Sequence, residues 1–539
     1  MTDALTALGR MPTLWAPRAS QIARSEIAKF IASIGGSVVD YKSFHAWSAS
    51  DLEGFWGSVW EYAQIVGQRG TEAVRRDPSG DPGLTVFFPG ARLNVAENLL
   101  RGAADRVAAC FFTPQGVPTS LTIAELRSQV ACLSDGLVRS DIGPGDVVVS
   151  TLPNGKERLI AYLACLARGA VWAQIPDDAK PNELAGLVDR IGGKILFTGA
   201  SEAGLICRNT AESNGGEAGL QRLACIVVLG ESLPYKPKCP VHAWSAFGHR
   251  RDELRYQRIA FNDPAVLLFD RSAGKLKAIT HSAGGMLVTH LKEHILHGDI
   301  KKSDMVLSMN LEDPRLWLWQ VSTIASGATA AFLDGGKSFD FRALQSLAQD
   351  LQATHLLIDP AKMEMPRGSS NAYSGPRPPK SLRALFLIDE VTDAALFDWI
   401  YKEFTDDIML CPLLGSSKFL ANYFVGSPLH PVRRGEYSAL ALGMALHVLD
   451  DGGRPVVART GELVCSEAFP TMAKSTPFGC DRAASGGLPI GRRARITCYG
   501  SAVLCPAGRD DPSLPQAKST RTNTKQSEPA PAAIAAARM

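Results

Sequence analysis

Short apolar runs alternate with amphipathic helical stretches through most of this chain, and this alternation constrains the fold more than any other feature. Buried strands separated by helices are typical of parallel sheets covered on both faces. The sequence therefore predicts an α/β fold with two mainly parallel sheets, one on each side of Tyr235–Pro264. The predicted strands are 108–112, 146–152, 170–175, 194–198, 225–229, 305–309, 328–333, 354–358 and 383–388, and the predicted helices are 122–139, 156–168, 182–191, 315–326, 339–351 and 393–404.

Two predicted helices begin with the spacing of a capping box, in which a hydroxyl and a Glu three residues later bind each other's backbone N–H groups. The pairs are Thr122 with Glu125 and Ser50 with Glu53. The helix that starts at Ser50 runs to Val66 and carries two Trp on its apolar face, which indicates core packing.

The C-terminal part of the sequence has a different character. Glu436–Cys465 is rich in strand and turn signals and predicts a small β subdomain. Past Glu467 the periodicity fades, and Gly, Arg, Ala and Ser become more frequent. Pro506–Met539 has almost no large apolar residue, which is typical of a disordered tail.

Composition excludes several classes of function. The chain has 539 residues, 45% of them hydrophobic, which is ordinary for a globular protein of several domains. A net charge of +3 is too small to indicate binding to nucleic acid. No apolar run is long enough for a membrane span, and no signal peptide is evident. Eleven scattered Cys without paired spacing indicate reduced thiols and predict a cytoplasmic protein.

The stretch from Ala265 to Gly285 is the strongest candidate for a binding site. An apolar strand is followed by a polar turn over Asp270–Lys277 and by a helix from about Gly284, an order that presents backbone N–H groups to phosphates. Ser272, Gly274 and Lys277 suit an anion, whereas Asp270 repels one. The spacing is not that of a P-loop. From this stretch alone, a solvated turn is the favoured interpretation.

One helix face carries His290, Glu293, His294 and His297 at intervals of three and four residues. This spacing permits metal binding. A solvated helix face is the favoured interpretation, and no metal ligands are assigned.

Several segments together resemble the acetoacetate–CoA ligase family, within the adenylate-forming acyl-CoA synthetases. The resemblance covers roughly Leu14–Glu467. It rests on the segments 40–67, 87–100, 143–172, 281–300, 424–436 and 453–467.

The resemblance implies an activity, its cofactors and a domain plan. Members of this family use ATP and Mg²⁺ to convert a small acid, here acetoacetate, into an acyl-adenylate, and coenzyme A then displaces AMP. The implied division is a helical cap region at 1–105, an adenylation core at 106–434, a β subdomain at 435–505 that is degenerate after 467, and a tail at 506–539. No segment resembles the family's small C-terminal domain or its Lys, so that domain is predicted to be absent.

The resemblance is weakest at the nucleotide motifs. In the phosphate loop Ser272, Gly274 and Lys277 match, while Asp270 and Arg271 replace Ser and Gly. The resemblance thus assigns nucleotide binding to those three residues.

Two later motifs also depart from the family. The adenine and Mg²⁺ motif aligns with 416–419, which assigns Gly415, Ser416 and Ser417 to the nucleotide, but Lys418 replaces a Thr and Phe419 a carboxylate. Two further changes are Pro314 in place of a Trp, with Trp317 and Trp319 at later positions, and Arg492 in place of the ribose-binding Asp.

Two functions remain open on the sequence. One is a working acetoacetate–CoA ligase. The other is a non-catalytic homologue that binds a partner or metabolite, and the altered motifs favour lost or impaired activity. No catalytic residue is assigned.

Overall fold

The predicted alternation forms two large sheets and one small one in the computed structural model. The structure describes residues 11–36, 40–113, 117–176, 179, 181–199, 223–230, 239–249, 253–272, 275–309, 313–333, 341–363, 377–388, 393–472 and 488–505. The predicted tail at 506–539 and Gly274 lie outside these residues.

Sheet A is built from the first block of the alternating pattern. Its strands are parallel except for the last pair, which forms an antiparallel hairpin. Trp172 faces the main core, whereas its neighbours Val171 and Ala173 face a second apolar cluster that includes Leu187. Both faces are therefore buried. In the described part of the chain its seven strands lie in the order Val241–Ala243, Cys225–Leu229, Gly193–Gly199, Val147–Ser150, Val171–Gln174, Pro264–Ser272 and Lys275–Ser282.

Sheet B contains the second block and takes two strands from the first part of the chain. Its six central strands are parallel, and antiparallel strands are added at both edges. The described residues give nine strands in the order Ala439–Leu440, Ala421–Val425, Met409–Ser416, Ala384–Ile388, His355–Ile358, Met305–Met309, Thr329–Leu333, Val107–Phe112 and Thr119–Thr122. The α/β fold with two mainly parallel sheets is confirmed.

Helices cover both sheets close to their predicted positions. They are Ile123–Arg139, Lys156–Ala167, Pro181–Arg190, Trp244–Phe247, Ala283–Lys292, Pro314–Ser322, Phe341–Asp350 and Ala394–Trp399. Two of them continue as π-helical turns, Glu293–His297 and Ile400–Phe404, and 3₁₀ turns lie at Pro82–Leu84, Thr323–Ser326 and Pro360–Lys362. No helix among the described residues has the length and apolar content needed to cross a bilayer.

The N-terminal region is helical, as predicted, with small sheets attached. Its helices are Ala19–Arg24, Glu26–Ser33, Tyr41–Ser50, Leu52–Tyr62 and Val95–Leu99. The short strands Gly67–Gln68, Arg92–Leu93 and Ile259–Ala260 form one small sheet, Val74–Arg75 pairs with Val86–Phe87, and Thr13–Trp15 pairs with Val432–Arg433.

The capping box predicted at Ser50 is wrong. Asp51 caps the helix Leu52–Tyr62 by accepting a hydrogen bond from the Gly54 backbone N–H.

Sheet C is antiparallel, and its strands lie within the β subdomain predicted at 435–505. Its described strands are Leu446–Leu449, Gly461–Cys465, Leu488–Ile496 and Ala502–Cys505. Regular strands therefore continue past Glu467, where the periodicity of the sequence fades. The strand Leu488–Ile496 escapes a periodicity search because Ala494 is its fully buried residue, while Arg492 and Arg493 are exposed and Arg495 is half-buried.

Candidate active site

The predicted phosphate-binding stretch is a β-hairpin at the outer edge of sheet A. Pro264–Ser272 pairs with Lys275–Ser282, and the helix Ala283–Lys292 begins only after the second strand. The start of this helix is close to its predicted position. The polar turn predicted over Asp270–Lys277 is wrong, since all but two of its residues belong to the strands.

Apolar alternation keeps both strands of the hairpin extended. Leu267 and Phe269 on the first strand and Leu276 on the second are buried in the same cluster on one face of sheet A. Ala278 packs against that cluster as well. Because a strand places alternate residues on one face, Leu276 and Ala278 prolong the strand to the position where a turn was expected.

The hairpin separates the three residues that the resemblance assigns to phosphate binding. Ser272 ends the first strand, opposite Lys275, and Gly274 lies outside the described residues. Lys277 lies directly opposite Asp270 in the ladder, so both side chains are on the same face of the hairpin. The cation therefore has a carboxylate as its cross-strand neighbour, which weakens the field that it presents to an anion.

A second turn contains residues 416–419, the segment that the resemblance assigns to adenine and Mg²⁺. Met409–Ser416 leads into a turn in which the Ser416 carbonyl oxygen accepts hydrogen bonds from the N–H groups of Phe419 at 3.1 Å and Leu420 at 2.9 Å. Phe419 is 2% exposed and packs edge-on against Phe469, with ring centroids 5.5 Å apart. A buried aromatic pair thus occupies the position where the resemblance implies a carboxylate.

His281 joins the hairpin to this turn. Its Nε2 lies 2.8 Å from the Ser417 carbonyl oxygen, and the side chain is 1% exposed. Burial lowers the pKa of His281 to about 4, so the ring is neutral at pH 7. A carbonyl oxygen only accepts, and therefore the proton of the neutral ring is on Nε2. The structure thereby brings two of the predicted motifs together.

Gly415 occupies a position without room for a side chain. A Cβ there would lie 2.3 Å from the Ala421 carbonyl oxygen, 2.6 Å from Asn422 Oδ1 and 2.7 Å from Arg315 Nη1. The absence of a side chain is needed for the close approach of these groups. Its structural role is evident, while nucleotide binding by Gly415, Ser416 and Ser417 stays a prediction.

A buried polar network lies behind this turn. The Glu293 carboxylate accepts hydrogen bonds from the Asn422 backbone N–H at 3.0 Å, from Asn422 Nδ2 at 2.7 Å and from Trp319 Nε1 at 2.9 Å. The ammonium of Lys292 lies 3.7 Å from the same carboxylate, and both side chains are at most 2% exposed. Arg315 extends the network to Asn422, with 3.4 Å between Nη1 and Oδ1.

The helix face with three His is buried, so the solvated face predicted for it is wrong. His290 Nδ1 and His294 Nε2 both lie 2.9 Å from Ser322 Oγ, and His297 Nδ1 lies 3.0 Å from the Gly426 carbonyl oxygen. Burial lowers the pKa of all three, to about 3 for His290. Among the described residues, no group of three or more His, Cys, Asp or Glu side chains could hold a metal ion.

The motif that carries Pro314 begins a helix. Residues 310–312 lie outside the described ranges, Asp313 caps the helix, and Pro314 is its first residue. Trp317 is buried beneath the Arg158 guanidinium, which lies 4.3 Å from the ring centroid, and its Nε1 donates to Asn154 Oδ1 at 2.9 Å. This helix is thus a packing element. Arg492 lies exposed in sheet C.

Sequence reasoning missed Arg315, Asn422 and Lys292, because each is buried through contacts distant in sequence. One local signal for Lys292 existed, since the helix Ala283–Lys292 has no other charged residue.

The architecture of sheets A, B and C, with a site between hairpin and turn, defines an α/β protein of the adenylate-forming acyl-CoA synthetase fold. The description "AMP-binding enzyme" matches residues 96–474, and "Acetyl-coenzyme A synthetase N-terminus" matches residues 41–99. The chain belongs to the AMP-binding enzyme family, among the acetoacetyl-CoA synthetases.

Individual relatives agree with this family assignment. The chain is 31% identical to an acetoacetyl-coenzyme A synthetase of Rhizobium meliloti, over 85% of this chain and 72% of the relative. It is 28% identical to a malonamoyl-CoA synthetase of Penicillium aethiopicum, over 84% of this chain and 68% of the relative. A solved acetoacetyl-CoA synthetase from Streptomyces lividans superimposes with a TM-score of 0.79 at 24% identity, over 92% of this chain and 80% of that one.

Proposed function

We propose that this chain is an acid–CoA ligase homologue of the acetoacetate type whose adenylation step is strongly impaired. The family and the acetoacetyl-CoA synthetase relatives support the reaction class, which joins ATP, a small carboxylic acid and coenzyme A. The nucleotide side of the site supports the impairment. Ser272, Gly274 and Lys277 on the hairpin and Gly415, Ser416 and Ser417 at the turn are the proposed nucleotide-binding residues.

The burial of Phe419 carries this proposal. A Mg²⁺ ion bound to ATP requires oxygen ligands, and Phe419 instead packs on Phe469. Its neighbour Lys418 adds a cation, with the ammonium 5.4 Å from the centroid of the Phe419 ring. The turn therefore offers serine hydroxyls and backbone groups but no carboxylate, and the residues present do not fit a metal there.

The hairpin adds a second unfavourable charge. Asp270 is exposed at the strand position next to the proposed phosphate site. A carboxylate about 4 Å from a phosphate charge costs about 1 kcal/mol in water and about 4 kcal/mol at the effective dielectric of a partly buried cleft. Losing one preorganised charge-stabilising group often lowers the rate by about 10²–10³.

Acetoacetate-dependent exchange between pyrophosphate and ATP tests the proposal. The purified protein is expected to exchange near background, and a turnover of about 1 s⁻¹ or more would contradict impairment. Asp270→Ser with Arg271→Gly is expected to strengthen ATP binding in a calorimetric titration, because the repulsion is removed. Asp451→Ser is the matched control, since the Asp451 side chain is 95% exposed and lies in the loop of sheet C.

The alternative function is a non-catalytic homologue that binds a metabolite or partner. The intact buried network behind the turn favours a retained fold. Saturable binding of ATP or acetoacetate without exchange would support this alternative. The malonamoyl-CoA synthetase relative makes other small acids worth testing in the same titration.

A further inference from the structure

A cavity of about 500 Å³ lies at the edge of sheet B where the parallel strands begin. His355, Ala384 and Met409, each the first residue of a strand, line it. The strand that starts at Met409 runs 8 residues to Ser416, which puts the cavity roughly 23 Å from the candidate active site. The cavity is therefore a separate site at the opposite edge of the sheet.

Basic side chains dominate the cavity lining. The ring of His355 adds no charge at pH 7, because burial lowers its pKa to about 4. The other charged side chains of the lining are two carboxylates, Asp299 and Asp407, and five cations, Arg18, Arg24, Lys301, Lys380 and Arg383. The lining therefore carries an excess of three positive charges.

Three of these cations already have carboxylate partners. Arg18 lies 2.8 Å from Asp407. Lys301 lies 3.0 Å from Asp299, whose backbone adopts a φ of +53°. The Arg383 guanidinium makes two contacts with Asp304, the shorter at 2.6 Å. These pairs hold three cations in the cavity wall, and both carboxylates of the lining already have a cationic partner.

The remaining two cations are uncommitted. Arg24 donates through Nε to the Ser20 carbonyl oxygen at 3.1 Å, and its terminal nitrogens have no hydrogen-bond partner among the described residues. The Lys380 ammonium has neither a hydrogen bond nor an ion pair within the described ranges, and it is exposed at the cavity. Two such cations match the charge of a phosphate dianion.

We propose that this cavity binds a small phosphate monoester, with the phosphate between Arg24 and Lys380. The cavity is much larger than a phosphate group, so it also has space for an organic body. Trp15 and Leu382 supply an apolar wall for that body. The proposal does not depend on the adenylation activity, because it uses none of the residues at the hairpin or the turn.

Calorimetric titration of the full chain with glycerol phosphate at low ionic strength tests this site. Saturable binding is expected. The variant Arg24→Gln with Lys380→Gln is expected to bind about a hundredfold more weakly, since each of the two lost charge-assisted hydrogen bonds is worth about a factor of ten. Lys402→Gln is the matched control, because this 81% exposed lysine pairs with Glu403 and does not line the cavity.

A further variant separates this cavity from the nucleotide edge. Lys277→Gln is expected to leave the affinity for glycerol phosphate unchanged. Lost binding in that variant would locate the phosphate at the hairpin and overturn the proposal. Unchanged affinity in the double variant, or no saturable binding to the full chain, would overturn it equally. All four substitutions are polar replacements at exposed or partly exposed positions, so the fold is preserved.

Discussion

The buried carboxylate of Glu293 is expected to be one of the most sensitive positions in the chain. Glu293→Ala would leave three N–H donors of Asn422 and Trp319 without an acceptor and the Lys292 ammonium without a counter-charge. The three hydrogen bonds contribute about 1 kcal/mol each. Breaking one side of a buried ion pair costs about 3–5 kcal/mol, part of which Lys292 avoids by losing its proton. We therefore expect a loss of about 5 kcal/mol in the free energy of unfolding.

Urea unfolding followed by circular dichroism measures this loss as a shift of the midpoint at constant slope. Lys292→Met is the matched control. It removes the cation but leaves the carboxylate with its three N–H donors, so its cost should be clearly smaller than that of Glu293→Ala. Equal losses in the two variants, or a loss below about 1 kcal/mol for Glu293→Ala, would refute the assignment of the carboxylate as the centre of the network.

The pH dependence gives a second measurement on the same variant. Burial lowers the pKa of Lys292, and removing Glu293 takes away the charge that opposes this shift. Between the lowered pKa and the unfolded value of about 10.4, the unfolded chain binds more protons than the folded chain. Stability therefore rises with pH in this window. Glu293→Ala should therefore recover part of its loss as the pH is raised towards the unfolded value.

Three further predictions concern single residues. Gly415→Ala should lower the free energy of unfolding by about 3 kcal/mol in urea titrations, because the new Cβ would clash with the Ala421 carbonyl oxygen. An unchanged midpoint would contradict this and show that the backbone can move. Thr122→Ala should cost about 1 kcal/mol in the same assay, because the Glu125 backbone N–H loses its acceptor, and no loss would mean that water replaces the cap. His290 has a pKa of about 3 in the fold and about 6.5 when unfolded, so the unfolded chain binds more protons between these pH values and the free energy of unfolding falls on acidification. His290→Asn should reduce this fall in urea midpoints measured from pH 7 to pH 5. An identical dependence on pH in the two proteins would contradict the prediction.

The sequence was informative where both partners of an interaction lie in one turn of chain. Thr122 and Glu125 form the predicted capping box, with the Thr122 N–H 2.7 Å from the Glu125 carboxylate. The same pattern at Ser50 failed, because Asp51 caps the helix and Glu53 accepts a hydrogen bond from the Ala73 N–H at 2.8 Å instead. A contact twenty residues away thus decided between two locally equivalent caps.

The candidate site was less predictable than the fold for the same reason. Period and length of the apolar runs locate the strands, but whether His290 and His297 face water depends on which elements cover their helix. The hairpin shows a second reason why the sequence did not predict the site. Leu276 and Ala278 continue a strand alternation that was visible in the sequence, yet the charges around them favoured a turn. The domain division at 105 and 434 and the cytoplasmic location stay predictions.

The hairpin has a consequence for the tendency of the chain to aggregate. Lys275–Ser282 is the outermost strand of sheet A in the described residues, and only one of its edges is paired. An unpaired strand edge offers its backbone groups to any other extended chain, and a lysine on such a strand discourages that pairing. Lys277 thus opposes aggregation, in addition to being a proposed nucleotide-binding residue. An apolar residue at position 277 would favour edge-to-edge association of two chains. A lower yield of purified protein from such a variant would therefore not by itself report on nucleotide binding.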